Sequence, residues 1–238
     1  ILGITAIIYP LRVKHDIVWK DIPLSILAVI AIGIMANDIF IDHQASALIS
    51  RIDGLILLAF FSIFLIHVSA VARTSRAELK SDKVQPQFKP LTAFGLVGLG
   101  IIGLSLGGKM AVDGSISLAQ AWGVSETLIG LTIVAIGTSL PELVTSIMAA
   151  VKRKADIAVG NIVGSNIMNI FWVLGLSAVI RPLPFNTINN FDIIVLTVAS
   201  VMLLIWLWTR RRNYLERWQG IVFVLFYIAY IIALIIRG

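Results

Sequence analysis

Of the 238 residues in the chain, 58% are hydrophobic and only 13% are charged, and the mean hydropathy is +0.96. About a quarter of the residues are charged in an ordinary soluble domain. A soluble protein made of buried helices is therefore excluded, because so few charges could not cover its surface. The formal net charge is +6 and there is no cysteine, which excludes disulfide bonds and thiolate metal sites.

Eight apolar runs follow one another along the chain. Runs of about 20 apolar residues are long enough to cross a membrane as helices. They predict an all-α polytopic membrane protein with about seven full spans after one partial span. The runs cover residues 1–11, 22–41, 47–72, 91–112, 124–151, 157–181, 191–209 and 218–236. One long polar linker, at 74–90, separates the third run from the fourth.

The positions of the basic residues predict how the spans are oriented. We place the linker 74–90 in the cytoplasm and let the spans alternate. Nearly all of the 19 Lys and Arg residues then lie on the cytoplasmic side, the exceptions being Arg51, Lys109, Arg181 and Arg237. This bias is the positive-inside pattern, in which basic residues beside helices face anionic headgroups. The net charge is thereby explained by lipid contact, and no nucleic-acid partner is expected.

The chain contains an internal repeat. ILGITAIIYPL at 1–11 aligns without gaps to VLGLSAVIRPL at 173–183, and RIDGLILLAFF at 51–61 is similar to RWQGIVFVLFY at 217–227. The proposed threading gives the two aligned helices opposite orientations. This is an inverted-topology repeat, a plan that is usual in secondary transporters.

The repeat predicts three parts of the chain. Residues 1–73 are the C-terminal part of a first five-helix repeat, 74–90 are a cytoplasmic linker, and 91–238 are a complete second repeat that carries the polar motifs. On this interpretation about 80 residues of the first repeat precede Ile1 in the parent protein. A start codon directly before Ile1 in the parent reading frame would contradict it.

The stretch GTSLPEL at 137–143 places a carboxylate inside an apolar run. An ionised acid at the centre of a membrane helix costs roughly 2.5–3.5 kcal/mol on insertion scales, and such residues face the protein interior or a water-filled path. The nearest basic residues, Lys152 to Lys154, lie about three helical turns away, too far to pair along the helix. We therefore interpret Glu142 as functional rather than as a snorkelling or structurally paired acid.

Pro141 predicts a kink beside this carboxylate. It has no N–H, so the carbonyl of Gly137 loses its helical partner. Free carbonyl oxygens at membrane depth are tolerated only where something satisfies them, and a hard cation would do so. Thr138 and Glu142 are four residues apart and share a helix face, with Ser139 beside them. A lone proline is usually only a kink, but next to these side chains it indicates a site.

The stretch GNIVGSNIMNI begins at Gly160 and forms the second polar motif. Asn161, Ser165 and Asn169 recur every four residues and form a ladder on one helix face. Gly160 and Gly164 make a GxxxG step, which predicts the close approach of another helix. Amides often only join helices, but this ladder directly follows the helix with the carboxylate. The short turn between the two helices predicts that both polar patches lie at a similar depth.

The ligand chemistry of these motifs is that of hard cations. Carboxylate, hydroxyl, amide and carbonyl oxygens bind ions such as Ca²⁺ and Na⁺. The histidines are not clustered as zinc or copper ligands, and His67 is predicted to be hydrogen-bonded rather than a ligand. No catalytic triad or phosphate loop is apparent, so no enzyme or cofactor is expected. The glycine-rich stretch 96–108 predicts either a sliding helix or a static, close-packed one.

At GTSLPEL and GNIVGSNIMNI the chain closely resembles the cation/calcium antiporter superfamily, in particular its prokaryotic sodium/calcium exchanger branch. The resemblance covers essentially the whole chain, and the two motifs look like the second of that family's two α-repeats. The family has ten helices. The resemblance therefore implies that helices 1 and 2 and most of helix 3 are absent, while helices 4 to 10 are present.

The resemblance also implies an ion site and a function. Some members carry an acid where this chain has Asn169, and the amide is less expected in potassium-coupled exchangers. The implied protein is a multi-pass antiporter of a prokaryotic inner membrane that exports Ca²⁺ against Na⁺ by alternating access, with one glutamate from each repeat. The implied ion ligands are a backbone carbonyl near Ala135 and the side chains of Thr138, Ser139, Glu142, Ser165 and Asn169.

Two other functions stay open from the sequence. A proton/calcium antiporter would use the same glutamates, with protonation in place of Na⁺. A passive cation channel would instead have an open polar path. The expected partners are the transported ions and the lipid bilayer, and the sequence does not predict an oligomeric state.

Overall fold

The computed structural model describes residues 1–41, 47–81, 89–123, 135–209 and 213–237, with the backbone alone at 74–81 and 135–136. The described chain is almost entirely helical, as expected where lipid offers no hydrogen bonds to the backbone. The α-helices are α1 (Leu2–Ile8), α2 (Ile22–Met35), α3 (Asp38–Ile41), α4 (Arg51–Ser81), α5 (Pro90–Ala121), α6 (Ala135–Thr138), α7 (Leu140–Val151), α8 (Ala155–Ile167), α9 (Gly175–Ile180), α10 (Asn190–Thr209) and α11 (Arg217–Arg237).

Shorter elements connect these helices. Two π-helical segments, Ile17–Asp21 and Met168–Leu174, lead directly into α2 and α9, and a 3₁₀ turn at Thr187–Asn189 leads into α10. Four two-residue strands lie at the helix ends: β1 (Leu11–Arg12), β2 (Leu48–Ile49), β3 (Leu183–Pro184) and β4 (Tyr214–Leu215).

Six helices of the described chain are long and apolar enough to cross a membrane, which confirms the predicted all-α polytopic architecture. The predicted partial span at 1–11 contains α1. The predicted span at 124–151 lies partly outside the described residues, and its described part forms α6 and α7. The six spans are Ile17–Met35, Arg51–Arg73, Pro90–Ala121, Ala155–Ile180, Thr187–Thr209 and Arg217–Arg237.

Several helix ends differ from the predicted ones. α4 continues to Ser81, inside the predicted linker 74–90, because Arg, Ala, Glu, Leu and Lys in that segment are strong helix formers. The run 22–41 is instead divided, and α2 ends at Met35. Here the side chain of Asn37 donates to the carbonyl oxygen of Gly33 at 2.6 Å, which offers the backbone an alternative to helical hydrogen bonding.

The two repeats pack against each other through two equivalent interfaces, in which each repeat contributes the elements that the other contributes at the second interface. In the sequence alignment β1 corresponds to β3, and β2 corresponds to β4. The structure pairs β1 with β4 and β2 with β3, both antiparallel. α1 packs on α11, and its counterpart α9 packs on α4, the counterpart of α11. Each interface is therefore built twice, once from each repeat.

Glycines bring the backbones of these helix pairs together. A Cβ built on Gly3 would lie 2.7 Å from the carbonyl oxygen of Gly220, and one built on Gly54 would lie 2.7 Å from that of Gly175. Gly3 and Gly175 occupy equivalent positions in the repeat, as do Gly54 and Gly220. The internal repeat thus conserves the residues that permit each helix crossing, since any side chain there would separate the helices.

The described residues do not show the close helix approach that is predicted at Gly160 and Gly164. A Cβ on Gly160 would meet only the Cδ1 methyl of Ile17, at 3.9 Å, and nothing described lies within 4 Å of one on Gly164. The neighbouring π-helical segment presents a side chain to α8, whereas the crossings described above bring backbone against backbone.

His67 of α4 is hydrogen-bonded, as predicted. Its Nε2 atom lies 3.0 Å from Oδ1 of Asp21, in the π-helical segment before α2. The pair joins two spanning helices, and a polar group in an apolar region is stable when it has such a partner.

Candidate cation-binding site

The helix that carries the predicted site is broken where the sequence predicts a kink. α6 ends at Thr138 and α7 begins at Leu140, with Ser139 between them at φ −94° and ψ 1°. This is the bridge region of backbone space, where many active-site residues lie. Pro141 causes the break, because it cannot donate to the carbonyl of Gly137 and its ring crowds that group.

Ser139 lies at the N-cap position of α7 but does not cap the helix. Its side chain makes no hydrogen bond to the first turn, although serine is favoured at this position because its oxygen accepts one. The hydroxyl oxygen is therefore available to another partner at the break.

The carboxylate of Glu142 lies in the first turn of α7 and is incompletely satisfied. Its Oε2 atom is buried and has no hydrogen-bond partner among the described residues. Leaving a charged acceptor unpaired costs more than leaving a neutral one. An oxygen of this kind is a strong ligand for a cation that enters the break.

α5 crosses the broken helix in an antiparallel sense. A Cβ on Gly137 would collide with the side chain of Val112, and a Cβ on Gly108 would lie 3.6 Å from Cγ of Pro141. Residues one turn apart on α5 thus contact residues one turn apart across the break. In its described surroundings, α5 packs chiefly on α6 and α7, and only Ala119 of this helix is buried.

Asn161 of α8 holds α7 beside the site. Its amide Nδ2 lies 3.1 Å from Oγ of Ser146, 3.0 Å from Oγ1 of Thr145 and 3.4 Å from the carbonyl oxygen of Glu142. Thr145 in turn donates to the carbonyl oxygen of Pro141 at 2.9 Å. The first member of the predicted ladder therefore joins two helices, as amides in membrane proteins commonly do.

Thr145 and Ser146 belong to this network, but neither is among the ligands predicted from the sequence. They follow Glu142 by three and four residues and so lie on its face of α7. The same spacing rule that joins Thr138 to Glu142 would have identified them. Ser146 is fully buried, which explains why it needs the amide of Asn161 as a partner.

Replacing Asn161 with alanine is expected to destabilise the protein by about 1–3 kcal/mol, because the buried hydroxyl of Ser146 loses its partner. Asn169→Ala is the matched control, since Asn169 is exposed and forms no hydrogen bond with a described residue. Thermal unfolding in detergent should show a lower midpoint for Asn161→Ala alone. Equal midpoints for the two variants would contradict the assignment of Asn161 as the residue that joins α7 to α8.

The other predicted ligands lie in α6, in α8 and in the π-helical segment that follows α8. Ala135 lies in α6, one turn before the break. Ser165 is one turn beyond Asn161 on α8, and its hydroxyl donates to the carbonyl oxygen of Ile162 at 3.0 Å, which leaves its oxygen able to accept. Asn169 lies in the π-helical segment Met168–Leu174, a type of distortion that is frequent at functional sites.

The structure brings some of these groups together more directly than others. Thr138, Ser139 and Glu142 surround the break in one chain segment, and Asn161 contacts the backbone of Glu142. Within the described residues no hydrogen bond joins Ser165 or Asn169 to Glu142. No group of three or more His, Cys, Asp or Glu side chains that could hold a metal ion occurs in the described ranges.

Comparison with known proteins gives the family of this chain. The family described as "Sodium/calcium exchanger protein" matches residues 92–236. Inner membrane protein YrbG of Escherichia coli is 34% identical over 218 residues, which cover 88% of this chain and 65% of that protein. Uncharacterized membrane protein MJ0091 of Methanocaldococcus jannaschii is 34% identical over 236 residues, which cover 98% of this chain and 71% of that protein.

The shared fold extends to a solved exchanger. The sodium-calcium exchanger NCX_Mj, in a structure soaked with 2.5 mM Na⁺ and 0.1 mM Ca²⁺, superposes with a TM-score of 0.72 at 34% identity, covering 98% of this chain and 71% of that one. The chain thus spans about two thirds of the length of the first of these relatives and somewhat more of the others. It is a multi-pass membrane protein and belongs to the sodium/calcium exchanger protein family.

Proposed function

We propose that this protein is a secondary-active antiporter that exchanges Ca²⁺ for Na⁺ at the break between α6 and α7. The observation that carries the proposal is the buried Oε2 atom of Glu142, which has no hydrogen-bond partner among the residues that the structure describes. A carboxylate placed at membrane depth without a protein partner is costly. A transported cation would supply the missing charge, and the chain's membership of the exchanger family supports the identity of the ions.

The proposed ligands are all oxygens. The carboxylate of Glu142 supplies the charge, and the hydroxyls of Thr138 and Ser139 flank it at the break. Carbonyl oxygens at the C-terminal end of α6 add partial negative charge, as half-helix ends do in other transporters. Ser165 and Asn169 would contribute from α8 and the π-helical segment that follows it. Oxygen ligands of this kind are suited to Ca²⁺ and Na⁺.

Competition for one set of oxygens would couple the two ions. A Ca²⁺ ion needs about two carboxylates to neutralise it, and the inverted repeat would provide a second glutamate from the first repeat. Two carboxylates could instead neutralise two Na⁺ ions, but they could not hold both loads at once. Ion exchange would then need no ATP, because each load is released only when the other replaces it.

α5 is the proposed moving element. It crosses the break at the Gly137–Val112 and Gly108–Pro141 contacts, and its other surfaces are little covered by the described chain. Its leucine and phenylalanine side chains near the N-terminus, such as Leu91 and Phe94, are 85% and 77% exposed. A shift of this helix along the break would expose the site to one side of the membrane and then to the other.

A Na⁺ gradient should drive Ca²⁺ uphill. Inverted vesicles that contain the full-length protein are loaded with Na⁺ and diluted into Na⁺-free medium with ⁴⁵Ca²⁺. We expect Ca²⁺ to accumulate above its external concentration, and monensin, which dissipates the Na⁺ gradient, should abolish this accumulation. Accumulation driven only by a pH gradient would indicate proton coupling. Ca²⁺ that only equilibrates, with no response to either gradient, would indicate a channel.

The proposed orientation is tested by labelling single cysteines in a chain that has none of its own. Lys152 lies in the turn between α7 and α8, and Ile188, which is 56% exposed, lies in the turn before α10. In intact cells an impermeant maleimide should label Ile188→Cys but not Lys152→Cys, because the basic residues place the latter turn in the cytoplasm. The reverse pattern would invert the threading.

A further inference from the structure

A basic cavity lies at the opposite end of α7 from the broken helix. Its volume is about 600 Å³, and it lies among the end of α1, the turn between α7 and α8, and β4. Among the described residues, its polar lining consists of four basic side chains, two tyrosines and one acid. These residues are Arg12, Lys14, Arg153, Lys154, Asp156, Tyr9 and Tyr214.

Asp156, the acid in the described lining of the cavity, already has partners. The Oδ1 atom of Asp156 accepts the backbone N–H of Lys14 at 3.0 Å, and its Oδ2 atom lies 3.6 Å from Nζ of the same lysine. Within the described ranges no carboxylate forms an ion pair with Arg12, Arg153 or Lys154. The cavity therefore presents an excess of positive charge from segments that are far apart in the chain.

The fold does not require these charges. β1 and β3 are equivalent in the inverted repeat, and each forms the same kind of antiparallel strand pair. Arg12 and Lys14 occupy the positions that Pro184 and Asn186 occupy in the second repeat. The strand pair at the other end of the molecule thus forms without basic residues, so the charge at this end serves something other than strand pairing.

Arg153 is held in a backbone conformation that arginine disfavours. Its φ is 58°, in the left-handed region where glycine is the usual residue at a helix C-terminus. Its N–H donates to the carbonyl oxygen of Ala150 at 2.8 Å, which ends α7. Side chains kept in such conformations are concentrated at ligand clamps and other functional sites. Arginine at this position places a guanidinium at the cavity.

We propose that this cavity binds the phosphate-bearing headgroup of an anionic lipid. Guanidinium groups recognise phosphate oxygens through paired hydrogen bonds, and basic pockets between spanning helices on the cytoplasmic side bind anionic headgroups. The cavity lies at the ends of membrane-crossing helices, and tyrosines such as Tyr9 and Tyr214 are common at the interface. Ile157, which is 56% exposed at the cavity, would contact the lipid chain. These features favour a lipid over a free anion.

Ligand-dependent thermal unfolding of the full-length protein in a neutral detergent tests the class of ligand. Short-chain phosphatidylglycerol should raise the unfolding midpoint in a saturable way, whereas short-chain phosphatidylcholine and inorganic phosphate should not. An equal effect of inorganic phosphate would overturn the assignment to a lipid. An equal effect of phosphatidylcholine would overturn recognition of the anionic headgroup.

Two double variants of equal charge locate the site. Arg12→Gln/Arg153→Gln removes two charges that line the cavity, and Lys20→Gln/Lys152→Gln removes two from the same end of the molecule that do not. The first should bind phosphatidylglycerol about thirtyfold more weakly, because each guanidinium that is lost removes a direct hydrogen bond to the phosphate, which contributes roughly fivefold. The control should change by less than about threefold. Equal losses would show diffuse attraction and overturn the proposal.

Arg153→Gly separates binding from folding. Glycine removes the guanidinium, and it also adopts the left-handed backbone conformation without steric strain. Without lipid, its unfolding midpoint should be at least that of the native protein, while the affinity for phosphatidylglycerol should fall about fivefold. Unchanged affinity in a stable Arg153→Gly variant would exclude this residue from a headgroup site and overturn the proposal.

Discussion

Glutamine in place of Glu142 should abolish Na⁺-driven Ca²⁺ transport while the protein still inserts and folds. The substitution keeps the shape of the side chain but removes its charge from a site where Oε2 has no hydrogen-bond partner in the described part of the chain. A divalent ion that loses a formal counter-charge in a poorly hydrated site should bind at least about 3 kcal/mol more weakly, or roughly a hundredfold. Insertion should become easier, because the charge at membrane depth is gone. ⁴⁵Ca²⁺ uptake in inverted vesicles and protein yield measure the two effects.

Glu216→Gln is the matched control for this experiment. Glu216 lies just before α11, and its Oε2 atom accepts the indole N–H of Trp218 at 2.7 Å. The same chemical change at this position, away from the break, should leave transport unchanged. Normal Ca²⁺ uptake by Glu142→Gln at normal yield would show that the break is not the ion site, because a transport site could not lose its charge without effect.

The broken helix shows what sequence reasoning could derive at this site. A proline next to a carboxylate inside an apolar run has few explanations in a membrane, because a missing N–H and a charge both need compensation there. The break at Ser139 agrees with that reasoning, and so does the Oε2 atom of Glu142, which has no hydrogen-bond partner within the described ranges. The inverted repeat was also derivable, since the aligned residues of 1–11 and 173–183 reveal equivalent helices and the basic residues predict their opposite orientations.

Other features depend on which elements face each other, and the local sequence does not specify this. Asn161 was predicted as one of three equal members of a ladder, but only its amide meets Ser146 across the helix pair. The π-helical segment at Met168–Leu174 changes the helical phase just before Asn169. It contains no proline or glycine from which the sequence could have predicted this change. The glycine step at Gly160 resembled a helix contact, but contact requires a partner backbone on that face, which only the tertiary structure supplies.

Alanine at Gly54 is expected to lower the stability of the protein by about 1–3 kcal/mol, as overpacked cores do. Its Cβ would lie 2.7 Å from the carbonyl oxygen of Gly175 and 2.9 Å from the backbone nitrogen of Val179. Both atoms belong to a helix backbone and cannot move like the end of a flexible side chain. α4 and α9 would have to separate along their whole contact, and the packing of Leu57 against Gly175 would weaken with it. Thermal unfolding in detergent measures the loss.

Gly160→Ala is the control that distinguishes packing from helix propensity. Both glycines are inside helices, so alanine should gain up to about 1 kcal/mol of helix stability at either position. At Gly160 the new methyl group would meet, among the described residues, only the end of the Ile17 side chain at 3.9 Å, so the gain should remain and the unfolding midpoint should not fall. At Gly54 the energetic cost of the clash should exceed the gain in helix stability. The repeat predicts that Gly220→Ala behaves like Gly54→Ala, because its Cβ would lie 2.7 Å from the carbonyl oxygen of Gly3. If all three variants unfold at the same temperature, the helix crossings at Gly54 and Gly220 do not hold the two repeats together.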